Sequence, residues 1–529
     1  MLHIIYPSQI EISKTMKEYR LPKTPSSSRR KGRRCSINLA VFLLAWVTAA
    51  ISFVNAFVTI GRRSPVAKQK NQQQQWTTTF LKESTSETAN APETNLPTAA
   101  QWQSHVSTHP EGITALEQIW ENVSNKEENN FGLAFLFVGQ AHAKDFEKIV
   151  EKASKKLDTN NNCQLVSVLG GGVIGENVEL DQIGRPSMSL LVGSLPDGAK
   201  VEVSEYNPLK TDKPFRLDDT IRSCLVFSDP YVPMEEYLSG DLDFGDRIVA
   251  GGISCPLISG QATLGVGNKC LSQGTMVVVG FAGSIKLQCL VAQGSRPIGK
   301  IYTITASQYN LITELDNEPA VDVLTNFVKN ASDEEKALIR SGFLCGIAKE
   351  GSSDEKDIDF LTRQIIGTCP DPSGIAIGAT NVRKDDLFCF QVLNRKSSEQ
   401  DLEIMVQRAK TARLFDNTAG GNSRPMAALQ ISCVARGREM FDGVPNVDLS
   451  NIRELVDDRP VVGGFYANGE IGPVGLSGFS TTSKGGNGES YVHGFTTVAV
   501  LLCEDQPLPT KSDESSTTSK DDTPLDAWG

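Results

Sequence analysis

The residues best suited to bind a small molecule lie at or near glycine-rich turns. A glycine lets a ligand approach the backbone N–H groups closely because no side chain intervenes. Glu176 and Glu470 offer carboxylates to an ammonium group, while Arg436 and Arg438 offer guanidinium groups to a carboxylate. The set predicts a site for a zwitterion such as an amino acid. Its candidate residues are Gly171, Gly172, Glu176, Gly251, Gly252, Arg436, Arg438, Gly464, Asn468, Glu470 and His493.

The same residues have a purely structural interpretation. Glycines are required in tight turns, and Glu–Arg pairs often fix loops without binding any ligand. The sequence leaves both interpretations open for each single residue.

Signatures of catalysis are missing from the sequence. No spacing of His and Cys suits zinc, and neither a G-x-S-x-G elbow nor a phosphate-binding glycine loop ending in Gly-Lys-Ser/Thr occurs. Cys433 lies close to Arg436, which would lower a thiol pKa, but no general base can be identified for it. We therefore expect a non-catalytic protein with no metal and no cofactor.

The elements that must position these residues are short strands and a few helices. Apolar runs bounded by Gly, Pro, Asp or Ser predict strands, several of them consecutive with no helix between, notably over 276–304. Helical spacing of apolar residues occurs over 146–157, 402–409 and 449–456. This pattern predicts an α/β fold of two mixed-sheet domains with added helices.

Three strand-to-turn segments resemble one another. Those beginning at Val168, Val249 and Val462 each run from apolar residues into a glycine pair, and the first and third end in Gly-Glu. They indicate either a duplicated architecture or ordinary tight turns, because glycine is common in both.

Charge is distributed unevenly along the 529 residues, whose formal net charge is −11. Basic residues cluster in the first 70 positions, so the remainder is more acidic than the whole chain. An acidic body argues against nucleic-acid binding, which needs clustered Lys and Arg. The 11 cysteines include no C-x-x-C pair, and those in apolar runs are expected to be buried thiols.

The N-terminal region has the composition of a targeting sequence. Residues 1–35 form a basic n-region, 36–56 a hydrophobic signal or transmembrane segment, and 57–110 a transit-like region and disordered linker. The Ala56-Phe57 junction resembles the bipartite presequence of algae with secondary plastids. Delivery to a plastid is expected; the alternative is a single-pass membrane protein of the secretory system, which contacts a membrane only through 36–56 if that segment is uncleaved.

Three motifs in the C-terminal third resemble the FIST C-terminal domain. They are Ile431-Ser-Cys-Val-Ala-Arg-Gly-Arg, the turn Gly463-Gly-Phe-Tyr-Ala-Asn-Gly-Glu-Ile-Gly-Pro, and a last strand led by His493. Residues 169–176, 248–252, 294–300 and 312–320 resemble the FIST N-terminal domain. The resemblance places an N-terminal domain at 112–330 and a C-terminal domain at 340–503, and the composition of 504–529 predicts a disordered acidic tail.

The resemblance also implies a function. FIST domains are regarded as sensory modules for small ligands, perhaps amino acids or their derivatives, and the chain shows no output module of its own. We therefore expect a ligand sensor that signals through a protein partner. FIST domains also occur in F-box proteins, where they present substrates to a ubiquitin ligase, so a protein-interaction scaffold is the alternative.

Overall fold

The computed structural model describes residues 101–505 apart from 125–129, 159–162, 212–213, 239–241, 259, 349–357, 359, 380–381, 419–422, 457–460 and 475–488. Its helices are α1 (Gly112–Asn122), α2 (Phe146–Leu157), α3 (Met234–Glu236), α4 (Ala320–Asn330), α5 (Asp333–Ser341), α6 (Arg395–Thr418) and α7 (Val447–Ile452). Short 3₁₀ turns cover Gln140–Asp145, Val434–Arg436 and Arg453–Leu455.

The strands are β1 (Trp102–Ser107), β2 (Leu133–Gly139), β3 (Gln164–Gly170), β4 (Val173–Gly175), β5 (Val178–Leu180), β6 (Met188–Gly193), β7 (Lys200–Tyr206), β8 (Phe215–Arg216), β9 (Ser223–Ser228), β10 (Leu242–Asp243), β11 (Ile248–Ile253), β12 (Leu264–Val266), β13 (Lys269–Cys270), β14 (Met276–Ala282), β15 (Ile285–Ala292), β16 (Ser295–Gln308), β17 (Leu311–Leu315), β18 (Glu318–Pro319), β19 (Phe343–Ala348), β20 (Leu361–Pro370), β21 (Ser373–Ile377), β22 (Leu387–Leu393), β23 (Ser423–Cys433), β24 (Val462–Ala467), β25 (Glu470–Pro473), β26 (Ser490–His493) and β27 (Thr497–Asp505). Strands and helices are mixed throughout, which confirms the predicted α/β class with mixed sheets.

Three six-stranded sheets follow one plan. Sheet I has the order β1-β6-β2-β3-β12-β13, sheet II β7-β14-β9-β11-β25-β26, and sheet III β15-β27-β23-β24-β4-β5. In each sheet the third and fourth strands are parallel, and their other neighbours are antiparallel. The chain therefore contains three successive copies of one unit, which we call repeats I (102–193), II (200–282) and III (285–505).

Each repeat donates a hairpin to another repeat's sheet. Hairpin β4–β5 of repeat I pairs with β24 in sheet III, β12–β13 of repeat II pairs with β3 in sheet I, and β25–β26 of repeat III pairs with β11 in sheet II. The exchange is cyclic, so no repeat has a complete sheet of its own. Strands from both predicted FIST halves share sheets II and III, and the division near residues 330–340 stays a prediction.

The pairing register defines which residues are equivalent. Ser167, Gly251 and Gly464 hold the same position, because each pairs with the second residue of the exchanged hairpin. The three glycine-rich segments thus lie at equivalent corners, in keeping with duplication. In the first segment the equivalent residue is Ser167, and the glycines come later: Gly170 is the last residue of β3, and Gly171 and Gly172 follow its end.

The inner faces of the three sheets share one hydrophobic core. Phe137 of sheet I stacks on Phe465 of sheet III at 5.4 Å between ring centroids, and Phe227 of sheet II lies 6.1 Å from Phe465. Helices α1 and α2 cover the outer face of sheet I, and α6 and α7 cover that of sheet III. Strands buried on both faces explain the continuous apolar runs in the sequence.

A closed barrel is inserted into repeat III between β15 and β23. Its ring of six antiparallel strands is β16-β22-β19-β20-β21-β17, closed by the pairing of β17 with β16. Helices α4 and α5 lie between β18 and β19. The sequence predicted several of these strands but not that they form a separate barrel, because alternation within a strand does not identify its partner.

The predicted linker at 57–110 is too long at its C-terminal end. Strand β1 lies inside it and pairs along its whole length with β6, with Trp102 buried. The polar alternation of Trp102–Ser107 resembles a linker in composition, but tertiary pairing makes it an edge strand. Residues 1–100, including 36–56, and the tail from 506 onward lie outside the described residues. Within the described ranges no helix is long and apolar enough to cross a membrane.

Glycine at position 464 should be essential for the packing of β24 on β23. A Cβ there would lie 1.8 Å from the carbonyl oxygen of Gln430, so Gly464→Ala should cost about 3 kcal/mol or more of unfolding free energy. Gly378→Ala is the control, because its Cβ would make only ordinary contacts at 3.6 Å. Urea unfolding measures the unfolding free energy of both variants. Equal unfolding free energies would contradict the close packing of Gly464 on the β23 backbone.

Candidate functional site

The ends of two parallel strands bring the charged candidates of repeat III together. β23 and β24 end side by side at Cys433 and Ala467. A 3₁₀ turn follows β23 and carries Arg436, while β25 begins at Glu470 soon after β24. The carboxyl ends of adjacent parallel strands are a common position for binding sites in α/β proteins.

Arg436 is fully buried and forms a bidentate ion pair. Its Nε and Nη2 donate to the two carboxylate oxygens of Asp448, on α7, at 2.6 and 3.1 Å. Nη2 also donates to the carbonyl oxygen of Ser398 at 3.3 Å. The third nitrogen, Nη1, has no hydrogen-bond partner among the described residues. The guanidinium is thus held rigidly with one donor unused.

Glu179 extends this polar cluster from the exchanged hairpin. Its Oε1 accepts hydrogen bonds from Gln430 Nε2 at 2.7 Å and from the Leu449 backbone at 3.0 Å. Burial, assisted by the nearby Asp448 carboxylate, raises the pKa of Glu179 to about 8. Glu179 is therefore largely protonated at neutral pH.

Glu470 is fully buried in the shared core. Its Oε2 accepts hydrogen bonds from the Thr496 hydroxyl at 2.7 Å and the Thr496 backbone N–H at 3.2 Å. Oε1 receives no N–H or O–H donor in the described part of the chain, and the Cys433 thiol lies beside it. Burial raises the pKa of Glu470 to about 8. At neutral pH Glu470 is therefore a largely neutral carboxylic acid, and only the Cys433 thiol lies beside its Oε1 among the described residues.

Residues equivalent to Glu470 in the other repeats are apolar. The equivalent position is the first residue of each exchanged hairpin. It is Glu470 in sheet II, Val173 in sheet III and Leu264 in sheet I. Val173 and Leu264 belong to the central hydrophobic core. The fold therefore tolerates an aliphatic side chain at this position, and only repeat III carries an ionisable one.

His493 lies opposite Glu470 in the β25–β26 hairpin. Its Nε2 is 2.9 Å from the carbonyl oxygen of Gly472, which makes this nitrogen the N–H donor, and Nδ1 has no partner among the described residues. Burial lowers the pKa of His493 to about 4, so the ring is neutral at neutral pH.

The Cys433 thiol is not activated as a nucleophile. Burial, and then the neighbouring Glu470 carboxyl, raise its pKa well above the ordinary value. The lowering expected from Arg436 is absent, because that guanidinium is paired with Asp448. Across the described ranges, no group of three or more His, Cys, Asp or Glu residues could hold a metal ion.

The glycine candidates pack against other backbone segments. A Cβ on Gly172 would lie 2.1 Å from the carbonyl oxygen of Leu180, one on Gly251 would lie 1.8 Å from that of Val226, and Gly464 has the same constraint. Gly171 and Gly252 would place a Cβ 2.5 and 2.7 Å from side chains of the next sheet. Close packing accounts for all five, and their role in ligand binding stays a prediction.

The structure does not place three further candidates, Glu176, Arg438 and Asn468, at the unpaired atoms of Arg436 and Glu470. Glu176 is exposed on the β4–β5 hairpin, 3.4 Å from His105, and its carboxylate accepts from a β1 backbone N–H. Arg438 is partly exposed, and its backbone N–H donates to Asp181. Asn468 donates its backbone N–H to the carbonyl oxygen of Ile253. Their ligand-binding roles also stay predictions.

Several members of the cluster were not predicted: Glu179, Ser398, Gln430, Ser432, Asp448, Thr496 and Thr497. One signal was present, because Gln430 and Ser432 alternate with Leu429 and Ile431 on a strand whose two faces are both buried. A polar stripe on such a strand indicates a buried polar network.

Family models match most of the described chain. A model described as the FIST N domain matches residues 132–318, and one described as the FIST C domain matches 320–473. The chain is 31% identical over 343 residues to uncharacterized protein Mb0898c of Mycobacterium bovis, covering 64% of this chain and 77% of the relative. It is 30% identical over 351 residues to uncharacterized protein Rv0628c of Mycobacterium tuberculosis, covering 64% and 84%.

Glu470→Gln should weaken the pH dependence of stability. The pKa of Glu470 is about 8 in the folded chain, against an ordinary 4.5. Between these values the unfolded chain has lost a proton that the folded chain keeps, so unfolding free energy falls as pH rises. The amide cannot titrate, although Glu179, with its own raised pKa, retains part of the dependence.

Urea unfolding at several pH values from about 4.5 to about 8 measures this slope. Glu403→Gln is the control, because Glu403 lies exposed on α6 and its replacement should leave the slope unchanged. If the unfolding free energy of Glu470→Gln falls with pH as steeply as that of the wild type, Glu470 does not retain its proton in the folded chain.

Proposed function

Because these matches make the chain a member of the FIST family, a family of sensory domains, we propose that it binds a small, amino-acid-like ligand without catalysis. The ligand site is the buried cluster around Arg436 and Glu470, and the signal passes to a protein partner.

The observation that carries the proposal is that, of three equivalent positions in the exchanged hairpins, only the one at Glu470 carries an ionisable side chain. Burying a carboxyl group costs free energy that an aliphatic side chain would not. Val173 and Leu264 fill the equivalent positions in the apolar core, so the fold does not require Glu470. Perturbed, buried groups of this kind concentrate at functional sites.

The unused atoms supply complementary chemistry. Arg436 Nη1 can donate to an acceptor on the ligand, and Glu470 Oε1 can accept from a donor such as an amine. Both side chains are held by other contacts, Arg436 by Asp448 and Glu470 by Thr496. A ligand would therefore meet a preorganised site and lose little affinity to ordering it.

One observation favours the scaffold as a second candidate. Helix α6 exposes Ile404, Leu414 and Phe415, at 50%, 65% and 68%, and Ile404 and Phe415 line a groove of about 600 Å³. Large exposed apolar side chains often mark protein interfaces. This surface suits a protein partner, either for the sensor's output or for substrate presentation as in F-box FIST proteins.

Delivery to a plastid through residues 1–110 also remains a proposal, supported by the sequence alone. A fluorescent fusion of residues 1–90 carrying Phe57→Ala tests it. Unchanged plastid import would remove the support drawn from Phe57.

Glu470→Gln should abolish stabilisation by the ligand. The amide still accepts from Thr496 but cannot become the anion that pairs with a ligand amine. We expect at least one of the common amino acids or their derivatives to raise the melting temperature of the full-length chain, and the variant to lose that increase.

Asp229→Asn is the matched control. Asp229 is a buried carboxyl group of repeat II, held by the Thr263 hydroxyl and two backbone N–H groups, far along the chain from the cluster. This variant should keep the ligand response. Absence of any response in the wild type would oppose a sensor and leave the scaffold. An equal response in Glu470→Gln would remove Glu470 from the site.

A further inference from the structure

A cleft of about 330 Å³ opens on the barrel beside helix α4. Strand β16 contributes Lys300 and Tyr302 to its lining, and β18 contributes Glu318. Its other sides are formed by α4 and by the start of α5. The described lining includes no residue of the Arg436–Glu470 cluster. The cleft is therefore a candidate binding site distinct from the one proposed for the ligand.

The floor of the cleft is apolar. Tyr302 and Val323 are 8% and 7% exposed and belong to the hydrophobic cluster of the barrel, against which Phe327 also packs. The ring of Phe327 stacks on that of Phe390 at 4.5 Å between centroids. Because these side chains are held by the barrel, the floor offers a preformed surface to the aliphatic part of a ligand.

A bulge in β16 shapes one wall of the cleft. The pairing of β16 with β22 shifts between Ile298 and Ile301, and Gly299, within the bulge, has a φ of 77°. A Cβ at position 299 would lie 2.7 Å from Cε2 of Phe327, so glycine allows that ring to pack on the bulge. The next residue is Lys300, at the rim. Bulges often re-aim a side chain beside a functional site.

The charged groups at the rim leave an excess of negative charge. Nζ of Lys300 lies 3.0 Å from Oδ2 of Asp316, so these two charges offset each other. Glu318 and Glu335 add two carboxylates to the lining. The first turn of α5, which carries Glu335, holds two further acids. An anionic ligand would therefore be repelled, whereas a cationic one would be attracted.

Lys300 shows that a cation fits the chemistry of this cleft. Its ammonium group lies 4.5 Å from the centroid of the Tyr302 ring, in addition to its ion pair with Asp316. An aromatic face and a carboxylate both favour a positive charge. Because Asp316 offsets the charge of Lys300, Glu318 and Glu335 remain to attract a second cation.

We propose that the cleft binds an arginine or lysine side chain presented by a basic segment of a protein partner. The aliphatic stem packs on the apolar floor, and the cationic head reaches Glu318 and Glu335. The formal net charge of the chain, −11, favours encounter with a basic partner. The inference goes beyond the proposed function, because it names the chemistry of a partner and does not depend on the ligand site.

Two short peptides of matched shape test the preference for a cation. Acetyl-Gly-Arg-Gly-amide carries a guanidinium group, and the same peptide with citrulline in place of arginine carries a neutral urea. Ligand-observed NMR measures binding to the full-length chain at about 50 mM salt. We expect saturable binding of the arginine peptide, with the citrulline peptide weaker by about fivefold or more. Equal binding of the two peptides, or saturable binding of neither, would overturn the inference.

Free arginine distinguishes a protein partner from a small-molecule ligand. Its carboxylate meets the acidic rim, whereas the capped peptide carries no carboxylate. Free arginine should therefore bind more weakly than the arginine peptide. Tighter binding of free arginine would indicate a small-molecule site and contradict the docking of a protein segment.

Glu318→Gln tests the location of the site. Glu318 is exposed, so the variant should fold normally, and the loss of one carboxylate should weaken binding of the arginine peptide about threefold. Glu403→Gln is the control, because it removes the same charge from the exposed surface of α6. Equal peptide affinities of the two variants would show that the peptide binds outside the cleft.

Glu470→Gln separates this inference from the proposed function. The variant should bind the arginine peptide as the wild type does, even where it loses its response to amino acids. Loss of peptide binding in this variant would place the peptide in the Arg436–Glu470 cluster and overturn the docking site on the barrel.

Discussion

The shared hydrophobic core of the three sheets is the constraint on which the structure depends. Each sheet is completed by a hairpin from another repeat, so its inner face must match side chains from all three repeats. Aliphatic residues and the phenylalanines at 137, 227 and 465 satisfy this requirement. An ionisable side chain at an equivalent core position is therefore costly, and this cost supports the proposed binding role of Glu470.

The barrel and the candidate site are connected through the chain. The barrel leaves the core at Gly294 and returns through β22 to the first turns of α6, where Ser398 and Asp401 lie. Both connections pack against Arg436, because a Cβ on Gly294 would lie 2.6 Å from its Nη1 and the Ser398 carbonyl oxygen accepts from its Nη2. A ligand bound at Arg436, as proposed, would therefore act directly on the attachment of the barrel and would have a physical route to a partner.

The sequence predicted local features, such as helices and turns, better than it predicted which distant residues contact one another. The strong helical spacing over 146–157 corresponds to α2, and the glycine corners lie at equivalent points of three repeats. The glycines of the first segment come later relative to the strand pairing than those of the other two segments, because glycines mark turns without fixing their distance from the strand end. Arg436 and Glu470 were predicted from charge beside glycine, whereas Glu179 was missed because its partner Gln430 is 251 residues away.

The unfolding free energy of Glu470→Leu tests most directly whether Glu470 serves binding rather than folding. Leucine occupies the equivalent position at Leu264, so the variant should lose no more than about 2 kcal/mol, the cost of leaving Thr496 without its acceptor. A gain in stability would agree equally well, since an aliphatic side chain avoids the free-energy cost of burying a polar carboxyl group. A loss well above about 3 kcal/mol would show that the carboxyl group holds the fold together and would contradict the account.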